Sequence, residues 1–123
     1  MENNTAEQLT TVAVYGTLKE GWGNHRLLEH VPKHSDGWVG GHRLFQQGIP
    51  FLIADEGSDY NVKVEVYKVD ADTLHSLDGL EGHPTCYCRK ELAILDDDGN
   101  HQETAWVYEY PSPIGEENTT GIF

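Results

Sequence analysis

Alternation of apolar and polar residues over positions 62–69 is the feature that most constrains the fold of this chain. Three valines fall on one face of an extended segment, whereas Lys63, Glu65 and Tyr67 fall on the other. A period of two residues is typical of a β-strand that buries one face. We therefore predict a half-buried strand here, with Tyr67 on its polar face.

A helix is predicted directly after this strand. Asp70 is a suitable N-cap for residues 71–81, three leucines recur within them at helical spacing, and Gly82 suits the helix end. A second short helix is predicted over residues 23–30, with Asn24 as its N-cap. Both helices are brief, so strands must supply most of the core.

The remaining apolar runs are short, rich in β-branched and aromatic residues, and interrupted by glycine. They predict strands over residues 10–15, 37–47, 50–54, 86–95 and 103–110. The total of about six or seven short strands and two short helices indicates an α+β chain, and such strands are typical of a small barrel. Residues 1–9 are polar and are expected to form a flexible leader before a single domain, residues 10–123.

The charge of the chain argues against polyanionic partners. Lys and Arg number 8 and Asp and Glu 21, which gives a formal net charge of -13. Nucleic acids and anionic membranes attract basic surfaces, so neither is an expected partner. No run approaches the roughly 18 apolar residues of a membrane span, and the polar N-terminus lacks a secretory signal. We expect a soluble, cytoplasmic protein whose acidic surface favours solubility, with a monomer favoured over an oligomer.

Metal and disulfide chemistry are not indicated. Cys86 and Cys88 are two residues apart on an extended segment, a spacing that rarely meets disulfide geometry. The seven histidines form no pair with the spacing of metal ligands. Scattered surface histidines are the simpler interpretation, and no metal site is predicted.

The first candidate functional segment is a turn at the end of the first predicted strand, formed by Tyr15, Gly16, Thr17 and Leu18. Successive backbone N–H groups in such a turn can converge on an anion. Glycine also allows a ligand to approach the main chain closely. From the residues alone, an ordinary strand-end turn explains this segment more simply.

The second candidate is Glu81 at the end of the helix. Helical spacing puts it on the same stripe as the leucines, where an unpaired carboxylate is costly and its pKa rises toward the range of proton transfer. The alternative is a helix end that frays into water. Asp78 falls near this stripe, either bonded to backbone donors or solvated. Tyr87 and Arg89 share one face of the next strand and either border the same pocket or face a neighbouring strand and solvent.

These features together resemble the γ-glutamylcyclotransferase family. The segment YGTLKEGWGNHRLL is similar to the YGTLK loop of the branch that acts on γ-glutamylamines, and VEVYKVDADTLHSLDGLEGHPTCYCR resembles a second family motif. The resemblance implies a small mixed barrel, Tyr15, Gly16, Thr17 and Leu18 as the substrate loop, Glu81 as the catalytic residue and Tyr87 as a pocket wall. It implies no metal and no organic cofactor.

The reaction implied by the resemblance is lactam formation. The α-amine of a small γ-glutamyl substrate attacks its own γ-carbonyl, which yields 5-oxoproline and a free amine. Glu81 acts as general base and then as general acid, and either Lys19 or Arg89 is available for the substrate carboxylate. A γ-glutamylamine and a γ-glutamyl amino acid both stay open as substrates. A non-catalytic sensor of γ-glutamyl ligands, or a protein-binding module, is the alternative from another functional class.

Overall fold

A computed structural model describes residues 8–123, so residues 1–7 of the predicted leader lie outside it. In chain order the elements are β1 (Thr10–Val14), a 3₁₀ helix (Gly23–Leu27), β2 (Ser35–Val39), β3 (His42–Gln47), β4 (Ile49–Ala54), β5 (Val62–Val69), α1 (Ala71–Glu81), β6 (Cys88–Leu95), β7 (His101–Glu109) and β8 (Glu116–Glu117). The described residues thus contain eight strands, slightly more than the sequence predicts.

Five strands close into a barrel in the order β1-β5-β2-β6-β7, and β4, β3 and β8 form a separate sheet. Most neighbours are antiparallel, but β1 meets β7 in parallel where Val12 pairs with Trp106. The predicted α+β class and small mixed barrel are therefore confirmed. The split within the predicted strand 37–47 comes at Gly41, whose φ of +66° favours a residue without a β-carbon.

The helix predicted after β5 is present with the expected ends. The Asp70 side chain accepts a hydrogen bond of 2.8 Å from the backbone N–H of Thr73, and Gly82 ends α1 in the left-handed conformation with φ 69°. The other predicted helix is shorter than residues 23–30 and is of the 3₁₀ type. Asn24 does not cap it, because the residue at the cap position is Trp22 and the Asn24 amide bonds elsewhere.

Strand β5 lines the barrel with its valines, as predicted, but the prediction for Tyr67 is wrong. Val62, Val64 and Val66 are fully buried in one apolar cluster. Tyr67 is also fully buried, in a second cluster that contains Leu28 and Leu77. Leu28 directly follows the 3₁₀ helix and Leu77 belongs to α1, so these two segments cover the outer face of the strand at its end.

The C-terminal segment packs against the barrel and the loop after β1. The backbone oxygen of Gly121 accepts a hydrogen bond of 2.8 Å from Lys63 N–H. The Phe123 ring lies 4.8 Å from the Trp22 ring, and Lys19 Nζ donates a 2.7 Å hydrogen bond to the Phe123 backbone oxygen. Phe123 is thus docked onto the loop after β1, whereas Ile122 is 51% exposed.

Candidate active site

A cavity of about 180 Å³ lies where the end of β1 faces the last turn of α1. Its wall includes every site residue predicted from the sequence, which are Tyr15, Gly16, Thr17, Leu18, Glu81 and Tyr87. The two sequence motifs are far apart along the chain, and the fold brings them to one cavity. Their roles in binding and catalysis stay predictions.

The loop after β1 presents three backbone donors that have no protein acceptor. A turn is closed where Lys19 N–H donates a hydrogen bond of 3.0 Å to the Gly16 oxygen. Within residues 8–123, the N–H groups of Gly16, Thr17 and Leu18 donate to no backbone or side-chain oxygen. All three residues line the cavity, so adjacent donors are available there for a carbonyl oxygen or an anion.

Side chains of the 3₁₀ helix hold this loop in place. Asn24 Nδ2 donates a hydrogen bond of 2.9 Å to Thr17 Oγ1. The Nδ1 atom of His25 lies 2.8 Å from the Leu18 carbonyl oxygen, so this nitrogen carries the proton. Asn24 also lines the cavity. The predicted role of Asn24 was a helix N-cap. Its contact with Thr17 was not predictable from local sequence, because it depends on how the chain folds back on itself.

The opposite side of the loop packs on β4. A β-carbon at Gly16 would collide with the ring of Pro50. The Pro50 carbonyl also accepts a hydrogen bond of 2.7 Å from the Tyr87 hydroxyl. The Tyr87 ring is stacked parallel to Phe51 at 6.0 Å and meets Tyr110 at 5.0 Å. Pro50 therefore fixes both the loop at residues 15–18 and the wall that Tyr87 forms.

Glu81 is the last residue of α1, and its carboxyl group is partly buried beside the cavity. Burial raises the pKa of this carboxyl group to about 7, and no hydrogen bond or opposite charge within residues 8–123 offsets that effect. Leu77, on the same stripe, is fully buried as predicted, but Leu80 is 42% exposed at the cavity. A carboxyl group with this pKa can both accept and release a proton near neutral pH.

Tyr108 is a cavity residue that sequence reasoning missed. Its hydroxyl group donates a hydrogen bond of 2.7 Å to Asp78 Oδ1, and its backbone oxygen accepts one of 2.7 Å from the Tyr15 hydroxyl. Arg89 is the cross-strand partner of Tyr108 in the β6–β7 ladder and binds the same carboxylate. The register of the β6–β7 ladder places Tyr108 beside Arg89 at Asp78, and no local pattern in the sequence predicts this cluster.

Neither cation suggested for the substrate carboxylate lines the cavity. Arg89 binds both oxygens of Asp78, at 2.9 and 3.2 Å, so of the two alternatives left open for Tyr87 and Arg89 the shared pocket does not hold for Arg89. Lys19 is buried and bonded to Phe123. Among the described residues that line the cavity, none is a lysine, arginine or histidine.

Residues 8–123 contain neither a metal-binding cluster nor a membrane-spanning helix. No group of three or more potential metal-binding side chains occurs within residues 8–123. No helix in that range is both long and apolar enough to cross a membrane.

Comparison with known proteins gives consistent matches over most of the chain. Residues 12–121 match the family model described as "Gamma-glutamyl cyclotransferase, AIG2-like". A Methanocaldococcus jannaschii protein named "Putative gamma-glutamylcyclotransferase" is 38% identical over 109 residues, which are 85% of this chain and 87% of that protein. Human gamma-glutamylaminecyclotransferase is 35% identical over 95 residues, or 70% of this chain and 62% of the human protein.

The fold comparison agrees with the sequence comparison. The crystal structure of an uncharacterized Pyrococcus horikoshii protein superposes with a TM-score of 0.75 and 30% identity, covering 93% of this chain and 89% of that one. The crystal structure of a mouse AIG2-like protein superposes with a TM-score of 0.74 and 29% identity, covering 84% and 78% of the two chains.

Proposed function

This chain belongs to the gamma-glutamyl cyclotransferase, AIG2-like family, and we propose that it converts a γ-glutamyl amide to 5-oxoproline and a free amine. One observation carries the proposal: the Glu81 carboxyl group, with its pKa raised to about 7, borders the same cavity as three backbone N–H groups without protein acceptors. A proton acceptor and an oxyanion site are the two elements that lactam closure needs.

The reaction begins with the α-ammonium group of the substrate. Glu81 takes one proton from it, and the free amine then attacks the γ-carbonyl carbon of the same molecule. Because nucleophile and electrophile belong to one molecule, no serine or cysteine nucleophile is needed, and holding the folded conformer supplies much of the rate enhancement. The cavity walls formed by Tyr87 and the loop at residues 15–18 hold that conformer.

The attack moves negative charge onto the carbonyl oxygen. The N–H groups of Gly16, Thr17 and Leu18 are the donors that stabilise this oxyanion. When the tetrahedral intermediate collapses, the bond to the leaving amine breaks and that nitrogen takes the proton held by Glu81. The attacking nitrogen still carries two hydrogens, and it gives one of them to the Glu81 carboxylate as it becomes the lactam N–H. That second proton passes to the released amine, which leaves as an ammonium. The carboxylate is then restored, and every atom of the substrate appears in 5-oxoproline or in the amine.

A γ-glutamylamine is the substrate class that the cavity favours over a γ-glutamyl amino acid. A γ-glutamyl amino acid carries a second carboxylate one carbon away from the scissile amide nitrogen, whereas in γ-glutamyl-ε-lysine that group lies at the far end of the lysine side chain, beside an ammonium group. No cationic side chain of residues 8–123 lines the cavity to bind the nearer carboxylate, and Glu81 adds negative charge. The exposed part of Leu80 instead offers apolar contact for an aliphatic amine.

Measuring 5-oxoproline release tests the proposal. The purified protein is incubated with γ-glutamyl-ε-lysine, a simple γ-glutamyl alkylamide and a γ-glutamyl amino acid, and product is quantified by chromatography. We expect release from the first two and slower release from the third. Binding of these compounds without release would favour the sensor interpretation and contradict the enzymatic one. Boiled protein serves as the blank for spontaneous cyclisation.

A further inference from the structure

The hydroxyl hydrogen of Tyr108 is committed to a charged acceptor. Its donation to Asp78 Oδ1 is short, at 2.7 Å, and the tyrosine is 2% exposed. Arg89 holds the acceptor with both of its hydrogen bonds, while its guanidinium lies 4.7 Å from the Trp106 ring. Trp106, Arg89 and Asp78 thus form a supported chain that ends on the Tyr108 hydroxyl group.

A phenol that has donated its only hydrogen can interact with a ligand only as an acceptor. Tyr108 lines the cavity, and its partner Asp78 lies three residues before Glu81, close to one turn of α1. Donation to a carboxylate also increases the negative charge on the phenolic oxygen, because hydrogen bonds in a chain polarise one another. The Tyr108 oxygen is therefore suited to a positively charged donor near Glu81.

We propose that the phenolic oxygen of Tyr108 accepts a hydrogen bond from the α-ammonium group of the substrate, and that Asp78 and Arg89 are positioning residues that act through Tyr108. The inference rests on the proposed function, which supplies the α-ammonium group. It assigns recognition of the amine to a residue separate from the carboxyl group that removes its proton.

Two acceptors have distinct tasks for one ammonium group. An ammonium carries three hydrogens, of which Glu81 takes one. A second hydrogen directed at Tyr108 restricts rotation about the bond from the α-carbon to nitrogen, so the amine stays beside the γ-carbonyl after Glu81 has removed its proton. A γ-acyl compound without the α-amine lacks this contact, so the site discriminates against it.

The chain contains a matched control for this cluster. Tyr60 donates a hydrogen bond of 2.7 Å to Glu117, and Arg43 binds the same Glu117 oxygen at 2.9 Å. This second tyrosine, carboxylate and arginine set does not line the cavity. Tyr60→Phe thus removes a hydroxyl group with the same kinds of carboxylate and arginine partners, one that also accepts a 2.9 Å hydrogen bond from Leu44 N–H, without touching the proposed amine contact.

A binding cycle tests the contact directly. Calorimetry in a Glu81→Gln background, where substrate persists, compares a γ-glutamyl alkylamide with the glutaric acid monoamide that lacks the α-amine. Tyr108→Phe should weaken the α-amino compound about tenfold, as expected for one hydrogen bond to a charged group, and the glutaric analogue less than twofold. Tyr60→Phe should leave the affinity for both ligands unchanged. Equal weakening of both ligands by Tyr108→Phe would overturn the inference.

Kinetics test the positioning residues. Asp78→Asn should raise KM for the α-amino substrate more than it lowers kcat. In a protein that already carries Tyr108→Phe, the same substitution should raise KM by less than a further twofold. Arg89→Lys should recover part of the affinity that Arg89→Ala loses. Fully additive effects of Asp78→Asn and Tyr108→Phe would contradict action through Tyr108.

The outcomes separate this inference from the proposed function. If the wild-type protein releases 5-oxoproline but ligands with and without the α-amine respond alike to Tyr108→Phe, the inference fails and the proposed function stands. If the α-amine is recognised through Tyr108 but no 5-oxoproline forms, the proposed function fails and the amine contact stands.

Discussion

Gly16 lies so close to the ring of Pro50 that a β-carbon at this position would overlap it. The two residues join the loop at residues 15–18 to β4, since Pro50 belongs to that strand and also accepts the Tyr87 hydrogen bond. Close packing here keeps the free N–H groups of the loop at the cavity. Packing against Pro50 thus requires glycine at position 16, in addition to the expected need for a ligand to approach the main chain there.

Gly16→Ala tests this contact. We expect a loss of about 1–3 kcal/mol in the free energy of unfolding, because the loop or β4 must shift to admit a methyl group. Turnover should fall at least tenfold, since the donors move with the loop. Chemical denaturation and 5-oxoproline release measure the two effects. Gly23→Ala is the control, because a β-carbon there meets nothing within 4 Å; equal effects of both substitutions would exclude the Pro50 contact as the cause.

Glu81→Gln should abolish most turnover while the fold persists. Glutamine has nearly the same shape but cannot take a proton from the α-ammonium group, and general-base catalysis contributes about 10²–10⁴-fold. We expect kcat to fall by that factor, with an unchanged far-ultraviolet circular dichroism spectrum. Near-wild-type turnover in this variant would remove Glu81 from the mechanism.

The pH dependence of kcat/KM should report the Glu81 carboxyl group. Only the ionised form accepts a proton, and burial raises the pKa of Glu81 from 4.5 to about 7. Activity should therefore rise through about pH 7 on the acidic limb. The measurement is initial rate against pH at low substrate concentration. An acidic limb near pH 4.5 would mean that the carboxyl group is solvated in the working enzyme.

The same carboxyl group should make the fold less stable as pH rises. Its folded pKa, about 7, exceeds the unfolded value of 4.5, so the native state binds the proton more tightly. The contribution of this group to stability is fully present below pH 4.5 and is lost as pH rises through 7, a decrease on the order of 3 kcal/mol. Denaturation of wild type and Glu81→Gln at pH 5 and 8 isolates the effect, which predicts a smaller decrease in the variant.

Features set by neighbours in sequence were predictable, and α1 is the clearest case. The Asp70 cap and the Gly82 end each depend on a few adjacent residues, so the bounds of α1 follow from local chemistry. The burial of Tyr67 did not follow, because alternation reports only which residues share a face. Segments from elsewhere in the chain decide whether that face is covered.

The residues of the candidate site also differ in whether local sequence or distant segments determine their position. Glu81 was predictable because an acidic residue on an apolar helical stripe is a local anomaly. Tyr108 was not, since its role depends on pairing with Arg89 across β6 and β7 and on a hydrogen bond to Asp78 in α1. Lys19 shows the converse, because this cation directly follows residues 15–18 in sequence but donates its hydrogen bond to the Phe123 backbone oxygen.

The hydroxyl groups of Tyr15, Tyr87 and Tyr108 are all bonded to protein oxygens before any ligand arrives. The walls they form are therefore preorganised, and the loss of side-chain entropy, about 0.5–1.5 kcal/mol for each immobilised group, accompanies folding rather than binding. Rigid walls cannot adjust to an acyl group that is shorter or longer than γ-glutamyl. We expect β-aspartyl amides, one methylene shorter, to bind poorly because they cannot contact the backbone donors and Glu81 at once.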